Sequence, residues 1–200
     1  MTDRSIPDPF SMRDEDALEP PRPIVPTNAV MASELRGRRV LIGLPGHGWR
    51  GDLRADDRVV QGSRTYIPVM AESEWYRAES EKTEVFAVLV PVERVWVEEY
   101  GLSGTTPLGI HGNNPVSLDE PPRRPPTKAS DTASITGHRA IRVLESGRER
   151  RDLRVVTESH FSDDGEVCVR VTNELDWYRW GWSGKIPSTL EIPINRIWIE

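Results

Sequence analysis

The sequence lacks several features that would assign it to a familiar class of protein. It has one cysteine among 200 residues, Cys168, which excludes an intramolecular disulfide and a cysteine-based zinc site. It has no run of about 20 apolar residues, and its N-terminus lacks the basic-then-apolar order of a signal peptide. We therefore expect a soluble, cytoplasmic protein with no membrane contact, no metal and no cofactor.

An excess of positive charge is also absent. The formal net charge is −6, residues 34–100 carry 10 basic and 12 acidic side chains, and residues 137–200 carry 10 and 11. Proteins that hold nucleic acid by neutralising its phosphates present a basic surface. The charge balance therefore disfavours nucleic acid as a partner, although a local basic patch is compatible with it.

Two stretches have few residues that can form a core. None of the seven tryptophans lies in residues 1–33 or 101–136. Residues 1–33 are rich in proline and acidic side chains, and we predict a disordered leader. Residues 101–136 centre on the prolines and arginines of 121–126. That composition predicts a disordered, semi-rigid Pro-rich linker, with a ligand for a proline-binding groove as the alternative.

The remaining stretches, residues 34–100 and 137–200, repeat one another. Many residues of the first recur in the second, at a shift of 100 and later of 102. The matches are Gly37, Arg39, Leu44, Asp52, Leu53 and Arg54 with Gly137, Arg139, Leu144, Asp152, Leu153 and Arg154; Trp75-Tyr76-Arg77 with Trp177-Tyr178-Arg179; and Pro91, Arg94, Trp96 and Glu98 with Pro193, Arg196, Trp198 and Glu200. Rare residue types at fixed spacing indicate a duplicated unit, so we predict two domains, repeat 1 (34–100) and repeat 2 (137–200).

Each repeat carries the signals of short strands. Alternating residues that predict one face of a strand are Thr65, Ile67 and Val69, and Val167, Val169 and Val171. Ser162-Asp163-Asp164-Gly165 predicts a hairpin turn before the second set. Both repeats end with an aliphatic segment, a proline-led turn (91–94 and 193–196) and a second short aliphatic segment.

A closing strand that follows a single 3₁₀ turn is how small SH3-like barrels end. Each repeat resembles a five-stranded SH3-like barrel, and the resemblance implies an all-β protein of two tandem barrels. The repeats lack the Ala-Leu-Tyr-Asp-Tyr type signature of eukaryotic SH3 domains, so a proline-peptide groove is not implied. The repeats also resemble proteins of unassigned activity from actinobacteria and their phages.

The triplet Trp75-Tyr76-Arg77 and its copy Trp177-Tyr178-Arg179 have two interpretations. On a strand, Trp and Tyr face opposite sides, so one of them contacts a partner, with an arginine beside it as at many binding hot spots. In the other interpretation Trp fills the barrel and Arg pairs with the preceding acidic residues. We favour the second, because both repeats keep the triplet at the same distance from the closing strand. A helical turn at the triplet would remove the strand argument.

Two further pairs recur in both repeats. Trp96 and Trp198 each stand between aliphatic residues, so we predict that they point away from the core. Our preferred hypothesis is that they pack between domains or between copies of the chain, with ligand contact as the alternative. Asp52 and Arg54, like Asp152 and Arg154, are expected to form a surface or structural ion pair.

No catalytic group is duplicated. His47 has no counterpart in repeat 2, and His160 has none in repeat 1. We therefore expect no enzymatic activity and assign no catalytic residue.

The repeats differ most in two segments, which we identify as candidate binding sites. The glycine-rich segment around His47 and Trp49 lacks the lysine and the strand-to-helix setting of a phosphate-binding loop, and we interpret it as an aromatic-tipped binding loop. Repeat 2 has Trp177, Trp180 and Trp182 within six residues, too many to bury in so small a barrel. The candidate partner-binding residues are His47, Trp49, Arg50, Trp75, Tyr76, Trp177, Tyr178, Arg179, Trp180, Trp182 and Lys185.

The sequence thus favours a non-enzymatic interaction protein that binds a protein partner through the aromatic loops of tandem barrels. One concrete form is a phage or accessory-element protein directed at a host target. The alternative is a nucleic-acid-associated protein that uses the Trp-rich segment of repeat 2 to stack on bases. The third is an enzyme of unknown chemistry.

Overall fold

A computed structural model describes residues 18–101 and 120–200, which are mainly β-structure. Strands account for 43% of the structure and helices for 18%, so the mainly β class is confirmed. The strands form two antiparallel sheets of seven strands each, and one of the sheets curls into a half-barrel. The leader and linker predictions for residues 1–17 and 102–119 lie outside the described residues.

The two sheets contain the same elements in the same order. The first comprises β1 (Ile24–Asn28), β2 (Arg39–Leu44), β3 (Gly48–Ala55), β4 (Val59–Gln61), β5 (Arg64–Ala71), α1 (Glu72–Glu81), β6 (Val88–Pro91) and β7 (Val95–Tyr100). The second comprises β8 (Thr127–Lys128), β9 (Arg139–Val143), β10 (Glu149–Val155), β11 (His160–Phe161), β12 (Val167–Asn173), α2 (Glu174–Ser183), β13 (Leu190–Pro193) and β14 (Ile197–Ile199). The strand orders, β1-β7-β2-β3-β5-β4 and β8-β14-β9-β10-β12-β11, are equivalent, with β6 on β5 and β13 on β12.

Each sheet buries an apolar core of its own. Ile67 and Val69 of β5 are buried in the first core, and the equivalent Val169 and Val171 of β12 are buried in the second. These side chains share one face because alternate residues of a strand point the same way. The alternation read from the sequence therefore identifies the inward faces of β5 and β12.

The predicted turns lie where the sequence placed them. A 3₁₀ turn at Val92–Arg94 precedes β7, and another at Ile194–Arg196 precedes β14. Each follows a proline, whose fixed φ suits the start of a helical turn. The predicted hairpin joins β11 to β12, with the Gly165 N–H donating to the Ser162 carbonyl at 2.9 Å.

Each sheet has two strands more than the predicted five. β4 and β11 pair with β5 and β12, while β1 and β8 pair with the closing strands β7 and β14. β1 and β8 lie within the stretches that we assigned to the leader and linker, so packed structure begins before residues 34 and 137. Prolines beside these strands obscured them, since an edge strand tolerates a proline that an inner strand does not.

Two helices that the sequence analysis did not predict accompany the sheets. α1 and α2 begin at Glu72 and Glu174, and each contains a Trp-Tyr-Arg triplet. Both helices have acidic residues in the first turn, where their negative charge interacts favourably with the positive end of the helix dipole. The side chain of Asn173 also caps α2 by accepting a hydrogen bond from the Asp176 N–H at 2.8 Å. The strand interpretation of the triplets is therefore wrong, and the alternation argument does not apply to them.

Candidate functional site

The two repeats meet at a buried cluster of charges, which we call the ionic joint. Its members occupy equivalent positions in the two repeats: Arg39, Arg54, Glu72 and Tyr76 in repeat 1, and Arg139, Arg154, Glu174 and Tyr178 in repeat 2. Glu72 and Glu174, the first residues of α1 and α2, are each only 1% exposed. Carboxylates buried to this extent need charged partners.

The partners of both carboxylates are the same four arginines. Glu72 lies 2.9–3.2 Å from guanidinium nitrogens of Arg39, Arg54, Arg139 and Arg154. Glu174 also pairs with all four, in close contact with Arg39 and at 3.4 to 3.9 Å from the others. Each carboxylate therefore pairs both within its repeat and across to the other one, and Glu72 has the shorter set of contacts.

Two tyrosines complete the ionic joint with local twofold pseudo-symmetry. The Tyr76 hydroxyl donates to Glu174 Oε2 at 2.9 Å, and the Tyr178 hydroxyl donates to Glu72 Oε2 at the same distance. Their rings stack with centroids 5.3 Å apart and planes 23° apart. Each tyrosine thus reaches from its own helix to the carboxylate at the start of the other helix.

The charges of the ionic joint stabilise one another. Burial opposes ionisation of Glu72, but the guanidinium groups of Arg139, Arg39 and Arg54 outweigh it and lower the pKa of Glu72 to about 2. Burial and the neighbouring Glu174 carboxylate raise the pKa of Tyr76 to about 12. At neutral pH Glu72 is therefore a carboxylate and Tyr76 a neutral hydrogen-bond donor. This arrangement suits a fixed interface, because the acid groups are engaged by arginine and tyrosine.

The duplicated Asp-Leu-Arg segments also contribute to the ionic joint, in a way that the spacing did not reveal. Asp52 lies 2.8 Å from Arg139 and 3.3 Å from Arg154, both in the other repeat. Its counterpart Asp152 pairs with Arg150 at 2.9 Å. Among the described residues, Asp52 does not pair with Arg54, and Asp152 does not pair with Arg154. Our expectation of these two ion pairs is therefore wrong, although repeat 2 has a local surface pair between Arg150 and Asp152.

A cavity of about 400 Å³ opens between α1 and α2, and we call it the Trp pocket. It is lined by Ser73, Glu74, Arg77, Trp177, Tyr178, Trp180, Gly181 and Trp182. The rings of Trp177 and Trp180 meet edge to face, with centroids 5.7 Å apart, and Trp180 is 37% exposed. The predicted Trp-rich segment therefore forms one wall of a pocket, and α1 of the other repeat forms the opposite wall.

A second cavity, of about 640 Å³, adjoins the Trp pocket, and we call it the His47 cleft. It is lined by Leu44, His47, Trp49, Arg50, Gly51, Asp52, Ala71, Glu72, Ser73 and Tyr178. Ser73 and Tyr178 line both cavities. The structure thus brings together the two segments in which the repeats differ most, although about 130 residues of chain separate them.

The equivalent position in repeat 2 is a cleft of about 650 Å³, which we call the Arg151 cleft. Arg148, Glu149 and Arg151 stand there in place of Gly48, Trp49 and Gly51. Arg151 stacks on the Tyr100 ring at 4.1 Å and pairs with Glu149 at 2.9 Å and Glu200 at 3.1 Å. Arg22 also pairs with Glu149, at 3.3 Å. These charged side chains are therefore paired with one another.

The other predicted contact residues have mainly local surroundings. Trp75 packs over Gly37, where a Cβ would lie 3.2 Å from its ring and the φ of +73° also favours glycine. Arg179 pairs with Asp176 at 3.1 Å and also donates to the Ser80 hydroxyl of the other repeat at 3.2 Å. Lys185 follows the end of α2 and is exposed. Tyr76 belongs to the ionic joint.

The two tryptophans assigned to interdomain packing lie in different surroundings. Trp96 meets Trp49 edge to face at 6.4 Å. Trp198 is 7% exposed and packs with Ile141 and Val143. Among the described residues, the ring contacts include none between Trp96 and Trp198.

Sequence reasoning missed most of the ionic joint. Arg39 and Arg139 were recognised as a repeated pair, but no partner was assigned to them. Glu72 and Glu174 were noted only as acids before tryptophan, although they also match at the shift of 102. The recurrence of these charged residues in both repeats, next to apolar strands, could have indicated a polar interface between the repeats.

Comparison with protein-family models, with curated proteins and with solved structures found no match to this chain. Within the described residues, no group of three or more His, Cys, Asp or Glu side chains is arranged to hold a metal ion. Over the same ranges, no helix has the length and apolar character needed to cross a membrane.

Proposed function

We propose that this chain is a non-enzymatic interaction protein that binds a protein partner across the Trp pocket and the His47 cleft. The observation that carries the proposal is that these two cavities share Ser73 and Tyr178. The His47 cleft carries His47 and Trp49 of repeat 1, and the adjoining Trp pocket carries Trp180 and Trp182 of repeat 2. Tryptophan, tyrosine and arginine are the residues most enriched at binding hot spots.

The ionic joint supports this proposal because it holds the two walls of the face in position. The Trp pocket is formed by α1 and α2, and the first residue of each helix is fixed by arginines from both repeats. A pre-positioned surface loses less conformational entropy on binding than a mobile one. Contiguous exposed apolar patches rimmed by polar residues mark interaction sites on protein surfaces.

We also propose that each sheet is a modified SH3-like barrel, in a tandem pair joined by a Pro-rich linker. Five strands of each sheet, ending in a 3₁₀ turn and a closing strand, support this assignment. The added edge strands and the helix before β6 or β13 are departures from a minimal barrel. A role as a phage protein directed at a host target is a further part of the proposal, and the sequence resemblance is its support.

The proposal is tested by affinity capture with variants of the two cavities. Proteins captured from a lysate of the source organism by the wild-type chain are quantified against those captured by Trp49→Ala and Trp180→Ala. We expect a specific partner to be reduced about tenfold or more with either variant, because truncating a hot-spot aromatic costs at least about 2 kcal/mol. Phe161→Ala is the matched control, since Phe161 is 76% exposed but lines neither cavity.

Unchanged capture by both tryptophan variants would contradict the proposed face. Circular dichroism of each variant establishes that the fold is retained. Retention on a single-strand DNA column that weakens steeply with salt, and that is lost with Trp180→Ala, would support the nucleic-acid alternative instead.

A further inference from the structure

One charged side chain of the Trp pocket has no charged partner within the part of the chain that the structure describes. Its charged lining residues are Glu74 and Arg77. The Arg77 guanidinium donates to Glu81 at 3.0 Å, one turn further along α1. Glu74 has no hydrogen-bond or ion-pair partner among residues 18–101 and 120–200. The pocket therefore presents a single free carboxylate.

The aromatic walls of the Trp pocket favour the same sign of ligand charge. The faces of indole rings carry negative electrostatic potential and attract cations, with tryptophan the strongest of the aromatic side chains. Trp177, Trp180 and Trp182 all line the pocket, and the rings of Trp177 and Trp180 are nearly perpendicular, at 82°. A phosphate would be repelled by both the Glu74 carboxylate and the indole faces.

The chemistry of the lining residues favours a planar cation over a compact one. A guanidinium group can stack on an indole face and donate two parallel N–H bonds to a carboxylate. An ammonium group is more strongly hydrated, and in an open pocket it keeps more of its water. A volume of about 400 Å³ accommodates a guanidinium group together with its aliphatic stem.

We propose that the Trp pocket receives an arginine side chain of the bound partner, which stacks on the Trp177–Trp180–Trp182 wall and pairs with Glu74. This inference rests on the proposed function, and it specifies the chemistry that the partner presents. It also explains the placement of Arg77: its pairing with Glu81 leaves Glu74 available to the ligand.

The inference is tested by NMR, with the intact chain labelled at its indole nitrogens and titrated with N-acetylarginine amide. We expect the indole signals of Trp177, Trp180 and Trp182 to shift saturably, and the Trp75 signal to stay unchanged. N-acetylcitrulline amide has nearly the same shape without the charge, and we expect no saturable shift with it. N-acetyllysine amide should bind more weakly than the arginine probe.

The Glu74→Gln variant provides the second measurement. Removing the carboxylate should weaken binding of the arginine probe about three- to fivefold, as expected for a solvent-accessible ion pair. Glu79→Gln is the matched control, because Glu79 is exposed on the same helix and does not line the pocket. It should leave the affinity unchanged.

An equal response to the citrulline probe, or an affinity that Glu74→Gln leaves unchanged, would overturn this inference. A stronger response to a single-strand oligonucleotide than to the arginine probe would also overturn it. Failure of this inference can be distinguished from failure of the proposed protein-binding function. If partner capture depends on Trp180 but the arginine probe does not bind, the protein-binding face stands and the arginine assignment fails. If the probe binds but capture is indifferent to Trp180, the cation site stands and the protein-binding face fails.

Discussion

The His47 cleft and the Arg151 cleft occupy equivalent places in the two repeats, yet they use different chemistry. In repeat 1 the positions hold Gly48, Trp49 and Gly51, which cannot form ion pairs with carboxylates. In repeat 2 the same positions hold Arg148, Glu149 and Arg151. The Arg151 guanidinium stacks on the Tyr100 ring and forms an ion pair with Glu200. The Arg151 cleft is thus occupied by stabilising ion pairs of the protein itself, whereas the His47 cleft keeps an aromatic lining. Because the strands around the two clefts are equivalent, this difference indicates which cleft is suited to binding a partner.

Substitutions in the ionic joint, which both repeats share, should have the largest effect on the free energy of unfolding. Glu72→Ala should destabilise the protein by about 3–5 kcal/mol, because it removes one of the two buried carboxylates that offset the charge of four buried arginines. Glu174→Ala should cost somewhat less, since its contacts with three of the four arginines are longer. Urea unfolding monitored by tryptophan fluorescence measures both. Glu79→Ala is the exposed control, and a cost below 1 kcal/mol for Glu72→Ala would show that the ionic joint is not a stabilising interface.

Acid titration tests the same joint without removing an atom. The pKa of Glu72 is lowered to about 2 in the folded protein, from its ordinary value of 4.5. A lowered carboxylate pKa contributes stability that is present above the unfolded-state pKa and is lost as pH falls through the folded-state pKa. We therefore expect the free energy of unfolding to decrease between about pH 4.5 and pH 2.

Two comparisons make the acid titration specific. The Glu72→Gln variant should show a smaller decrease over the same interval, because it no longer carries this group. Burial raises the pKa of Glu200 despite Arg39, so its protonation favours the folded state as pH falls and offsets part of the loss. An identical pH dependence in wild type and Glu72→Gln would show that Glu72 is not the group that titrates.

Substitutions in the Arg151 cleft should have the smallest of these effects on stability. Arg151→Ala should cost about 2–3 kcal/mol, because it removes a largely buried ion-pair network and a cation–π contact. The neighbouring Arg150 pairs with Asp152 on the surface, and Arg150→Ala should cost less than about 1 kcal/mol. Thermal unfolding of the two variants compares them directly. Equal effects would show that the charged cleft of repeat 2 adds no cohesion beyond that of a surface pair.

Periodicity and turn chemistry predicted the scaffold well, because they depend on neighbours along the chain. The inward faces of β5 and β12 and the turns at Val92–Arg94 and Ile194–Arg196 belong to this class. The helices were missed because the aromatic triplets suggested strands. Their acidic first turns and the Asn173 cap were the local signal that would have corrected this. β1 was missed because its prolines resemble those of a disordered segment.

The ionic joint and the converging cavities could not be predicted in the same way. Arg54 and Glu174 are 120 positions apart, and equal spacing within each repeat cannot show whether a charge pairs locally or across to the other copy. Asp52 illustrates the problem, since it lies near Arg54 in sequence but pairs with Arg139. The sequence identified the segments around His47 and Trp180 as candidates. Their meeting at Ser73 and Tyr178 depends on how the repeats dock.

The composition of the ionic joint also bears on aggregation. Each sheet has an apolar core of its own, and the ionic joint between the repeats consists of guanidinium, carboxylate and phenol groups. Opening the ionic joint would expose groups that water solvates readily, rather than the apolar patches that cause unfolding intermediates to associate. A partly opened form of this protein should therefore remain dispersed and be able to close again.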